Sequence, residues 1–173
     1  MAASLYDISV RSYLQSLDAL CGVLDKASAY CAEVDMAPDD LLSDRLADDM
    51  LPLTCQLHMA TTHSLGTIAG IREGLFAPPR GIPELDYAGF RQRVEDAATE
   101  LRAMEASDIN AMSEKPVTFR ISDMEIPFTA EGFVLSFSLP NLYFHTTTTY
   151  AILRAAGVPL GKRDFLGQMQ VAG

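Results

Sequence analysis

A chain of 173 residues, 49% of them apolar, is long enough to bury one core without disulfide or metal support. Thirteen basic against 23 acidic side chains leave a net charge of −10 at pH 7, which opposes phosphate backbones and anionic lipid and excludes charge-driven nucleic-acid or membrane partners. No stretch approaches the roughly 18 uncharged apolar residues of a membrane span.

From the N-terminus, Val10, Leu14, Leu17, Cys21, Leu24, Ser28 and Cys31 recur at three and four, the spacing of one helical face. This predicts a first helix over about 4–32. A connection follows with seven acids (Glu33, Asp35, Asp39, Asp40, Asp44, Asp48, Asp49) against Arg45. It reads as a solvated linker carrying helix caps, without the central Gly and terminal Glu of a calcium loop. The stripe Leu53, Leu57, Ala60, Ser64, Thr67, Ile71 predicts a second helix from Pro52 to near Gly74. The segment FAPPRGIPEL holds three prolines and a glycine and must be a loop. Tyr87, Phe90, Val94, Ala97, Leu101 and Met104 then mark a third helix.

The period changes at Val117. A turn at Ser122-Asp123 would pair Ile121 with Met124, Phe119 with Ile126 and Val117 with Phe128 on one face, and Arg120 with Glu125 on the other. This predicts a hairpin, with Pro127 placing its strand at an edge. A last helix runs from after Glu131 to about Ala156, kinked near Pro140 and stopped by Gly157. Its body GFVLSFSLPNLYFH is apolar almost all round, so it is central or covered by a second subunit. Four helices sharing one core point to an all-α four-helix bundle with a small hairpin before the last helix.

Three histidines exist, His58, His63 and His145. With Leu57, Ser64 and Ile71 at heptad position a, His63 falls at g and leans into the bundle, whereas His58 falls at b and should face water. Five residues separate them, about 140° around the helix, so they cannot clamp one ion as i, i+4 histidines do. His145 shares the interior face of the last helix with Leu142, Thr149 and Ile152. One reading has His63 and His145 meeting and, with Thr149 or water, lining a polar pocket for a divalent metal or small ligand, Tyr143 or Tyr150 nearby. The other has each histidine as a core residue bonded to a hydroxyl among Thr146–Tyr150. Two imidazoles fall short of the three protein ligands of catalytic zinc.

Other chemistries fail on spacing. No histidine follows a glutamate by three, and there is neither H-E-x-x-H nor G-x-S-x-G. Gly157–Lys162 is one residue short of a phosphate loop and lacks its Ser or Thr. Cys21, Cys31 and Cys55 include no C-x-x-C and read as reduced, buried thiols of a cytoplasmic protein.

The tail LPNLYFHTTTTYAILRAAGVPLGKRDFLG resembles the C-terminal signature of a bacterial family of unknown function in the DinB/YfiT-like superfamily, and DMLPLTCQLHMATTH is similar to its second-helix opening. The resemblance implies one domain over 1–173, an up-down-down-up four-helix bundle, often a homodimer. In many members a metal is held by one histidine of the second helix and two, four apart, on the last. Here His63 matches the first ligand and His145 the second, while the third position is Thr149, a weak neutral ligand for Zn or Ni. The expected cofactor is thus such a divalent ion or none. The resulting expectation is an atypical or relict metal or small-ligand site in the bundle core. The alternatives are a metal- or thiol-dependent transferase and a non-catalytic, ligand-binding or stress-associated dimer.

Overall fold

The computed structural model describes residues 3–171 as a mostly helical chain with a small three-stranded sheet. A π-helical turn, Asp7–Arg11, leads into α1, Ser12–Glu33, which buries Tyr13, Leu17, Leu20, Leu24, Ala27 and Cys31. The acidic connection contains a 3-10 turn, Pro38–Ser43. Two carboxylates secure the start of α4, Tyr87–Arg102: Asp39 accepts from the Tyr87 N–H at 2.8 Å and the N-cap Asp86 from the Gly89 N–H at 2.7 Å. One of the seven linker acids is therefore a cap as well as surface charge. The Tyr87 hydroxyl donates to the Leu24 carbonyl at 2.8 Å, tying α4 to α1.

The second helix departs from its single stripe. It is two helices, α2 (Leu53–Thr62) and α3 (Leu65–Glu73), broken at His63-Ser64, where Ser64 has φ −115° and ψ −89°. Local hydroxyl competition contributes, and the Ser138 hydroxyl of the last helical run donates to the freed His63 carbonyl. Thr61 and Thr62 donate to the His58 carbonyl, and Ser64 to the Ala60 and Thr61 carbonyls, where the helix would need backbone N–H groups. Gly74, at φ +76°, ends α3 in the left-handed conformation that glycine adopts without strain.

A two-residue strand that the period gave no sign of, β1 (Leu75–Phe76), runs parallel to β2 (Pro116–Ile121). β2 pairs antiparallel with β3 (Met124–Thr129) in the expected register: Val117 with Phe128, Phe119 with Ile126, Ile121 with Met124, Arg120 with Glu125. The Arg120 guanidinium meets Glu125 at 2.6 Å, and β3, with Pro127, is an edge strand. Between α4 and β2 lies a short helix α5, Ala106–Asn110.

The last helical run starts as α6 (Ala130–Phe133), widens into a π-helical turn (Val134–Ser138) and continues as α7 (Leu139–Ala155). Pro140 lacks an N–H and crowds the carbonyl four residues back, so the turn before it opens. Asn141 donates its side-chain amide to the Phe137 carbonyl at 2.7 Å. A short α8, Lys162–Leu166, packs on α1. α1 packs against α4 and α7, and α2 lies between α7 and α4. Among the described residues no helix is long and apolar enough to cross a membrane.

Candidate functional site

The histidine pair sits where α2 and α7 pack. His63 caps α2 and His145 lies in α7; their rings are 5.7 Å apart between centroids and nearly parallel, at 9°. Phe76 and Phe137 pack on His63, each at 5.6 Å. Burial pushes the His63 imidazole down to about 4, with His145 as a secondary cause, and burial alone brings His145 down to about 4. Both rings are neutral at pH 7.

Two residues that sequence reasoning passed over hold this pair. Gln56 donates its amide N–H to the Leu51 carbonyl at 3.0 Å, so its Oε1 must be the atom 2.8 Å from His145 Nδ1. His145 is then the Nδ1–H tautomer, with its lone pair on Nε2. Ser138, in the π-turn, donates to the His63 carbonyl at 2.6 Å and accepts from the Thr67 hydroxyl at 2.9 Å and the Tyr13 hydroxyl at 2.7 Å. The break in the second helix frees that carbonyl, and the π-turn places the serine that satisfies it. The pairings of 56 with 145 and of 63 with 138 make α2 and α7 antiparallel. A signal existed in the sequence: Gln56 and Ser138 each lie one heptad before a site histidine.

The remaining predicted residues are spread over two sides of α7. Thr149 is fully buried one turn beyond His145, and its hydroxyl has no hydrogen-bond partner among the described residues; nor has His63 Nδ1. Tyr143 and Tyr150 line a different cleft, of about 290 Å³, with Thr146, Ser12 and Phe165 between α1, α7 and α8. His58, expected in water, is 5% exposed. The reason is that α2 is packed by both α7 and α4, so its buried surface exceeds one stripe and includes Cys55, His58 and Thr61.

For a metal the available donors are two neutral imidazoles, one already committed at Nδ1, and a threonine hydroxyl. Among the described residues no three His, Cys, Asp or Glu side chains converge. That set is one ligand short of a resident zinc or nickel centre. The thiols offer no nucleophile: burial raises Cys21 to about 11 and also raises Cys31 and Cys55, so all three stay protonated.

The profile of a domain of unknown function, DUF1993, matches residues 5–166. The chain belongs to this family. Its DUF1993 fold is similar to the crystal structure of a DinB family member protein from Shewanella denitrificans, at 31% identity and a TM-score of 0.81 over 98% of this chain and 95% of that one. No curated protein matches it.

Proposed function

We propose that this DUF1993 chain is a DinB-like bundle whose core site is the relict of a three-ligand metal centre. The four units of the bundle are α1, α2 with α3, α4, and α6 with α7, in up-down-down-up order. The imidazole pair is kept, Thr149 stands where the resemblance implies a third ligand, and the site holds no resident metal. The observation that carries this reading is the neutral, nearly parallel pair of His63 and His145, with Gln56 occupying one nitrogen of the latter. A small hydrogen-bond donor would be received by the lone pair on His145 Nε2, since His145 is the partly exposed member of the pair.

Metal analysis of protein purified without a polyhistidine tag tests this directly. Less than about 0.1 equivalent of transition metal, unchanged in His145→Ala, is expected for two imidazoles alone. Stoichiometric metal that disappears in His145→Ala would overturn it.

A homodimer is part of the same proposal. It is supported by the outer face of α7, where Tyr143 and Phe144 are exposed and the one charge is Arg154 in the last turn, and by exposed Leu135 in the π-turn before it.

A further inference from the structure

A cleft of about 760 Å³ lies between α2–α3 and α4, and neither His63 nor His145 lines it. His58 does. Its ring is almost wholly buried, yet neither Nδ1 nor Nε2 has a hydrogen-bond partner among the described residues. Two orphaned polar atoms on one buried side chain are costly, and native structures keep such groups where something else satisfies them. Burial and the neighbouring Arg93 both lower its proton affinity, so the ring is neutral and offers one donor and one acceptor.

The charged residues of the cleft are not paired with one another, although Asp96 accepts from the Gln92 amide at 2.8 Å. Arg93, Asp96 and Glu100 follow one face of α4, with Arg72 and Glu73 on α3 opposite, and among the described residues none of the five joins an ion pair. Arg93 spends only Nε, on the Thr61 hydroxyl at 3.4 Å. From Arg93 to Glu100 the helix rises about 10 Å, which is about the length of three extended residues. The lining also carries apolar side chains, among them Leu65, Phe76 and Met104.

We propose that this cleft is a second binding site, for a small zwitterion of tripeptide size with apolar side chains. Its carboxylate is held by Arg93 beside the His58 ring, and its ammonium by Glu100 about 10 Å further along α4. This site is independent of the relict metal centre.

The test is titration with leucyl-glycyl-leucine, followed through the His58 ring nitrogens by 15N NMR. Its N-acetyl and C-amide derivatives, each lacking one charge, serve as comparators. The free peptide should shift the His58 resonances saturably, each capped form should bind at least about tenfold more weakly, and Arg93→Gln should abolish the preference over the amide. His58→Leu should abolish binding while raising Tm without ligand, because an orphaned imidazole is removed. The absence of a saturable His58 shift, equal affinity for all three peptides, or a lowered Tm in His58→Leu would each overturn the proposal.

Discussion

At the scale of single residues, the buried histidines make stability depend on pH. An ordinary histidine has a pKa near 6.5, whereas His63 and His145 are pushed down to about 4 by burial. Between these values the unfolded chain binds more protons than the folded one, so stability is full above pH 6.5 and declines as pH falls toward 4. For His63 the span is worth on the order of 3 kcal/mol. His145, more exposed, adds less, and His58 is shifted in the same direction. Asp7 and Asp164 are held below 3.8 by their hydrogen bonds and contribute their losses only at lower pH. Urea midpoints should therefore be flat from pH 6.5 to about pH 8, where unfolded thiols begin to ionise, and should fall from pH 6.5 to about pH 4.5, with a shallower fall in His63→Leu. A wild-type midpoint constant down to pH 4.5 would contradict the neutral pair.

At the scale of elements, the junction between the broken helix and the π-turn depends on Ser138. Replacing it with alanine leaves the His63 carbonyl and the Tyr13 and Thr67 hydroxyls without their shared partner. A loss of about 2–4 kcal/mol is expected in chemical denaturation, more than for Thr67→Val, which removes one donor together with its need. A cost in Ser138→Ala no larger than that of Thr67→Val would show that the junction is not held this way. The end of α7 has a separate weak point. Gly157 has φ +98°, and a Cβ there would lie 2.6 Å from the Tyr30 hydroxyl oxygen. Gly157→Ala should cost about 1–3 kcal/mol; a neutral substitution would place the stop elsewhere. Much of this level was legible in the residues. The α1 and α4 stripes, the hairpin register and the glycine stops follow from local spacing and local stereochemistry. The break at His63 was not, because Thr and Ser hydroxyls bond helix carbonyls in unbroken helices too, and the partner that donates to the freed carbonyl here, Ser138, lies 75 residues away. β1 has two residues, too few for any period to register.

At the scale of the whole molecule, the acidity belongs to the shell and the linker, while the outer face of α7 carries one charge, Arg154, in its last turn. If that face joins two copies, light scattering at micromolar concentration should give a dimer, and Phe144→Glu should give a folded monomer. A wild-type monomer under those conditions would refute the dimer. The meeting of His63 and His145 was readable from their heptad positions, since both fall on inward faces of helices that pack together. The burial of His58 was not readable, because a position that faces water on a helix with one neighbour is covered on a helix packed between two. The side of α7 taken by Tyr143 and Tyr150 likewise depends on where α8 docks. The central claim is that α2 and α7 still present two thirds of a metal centre, and isothermal titration of Thr149→His with zinc tests it most directly. Restoring an i, i+4 histidine pair opposite His63 should give one site with a Kd at least about a hundredfold below that of the wild type. Equal zinc affinity in the two proteins would contradict the account.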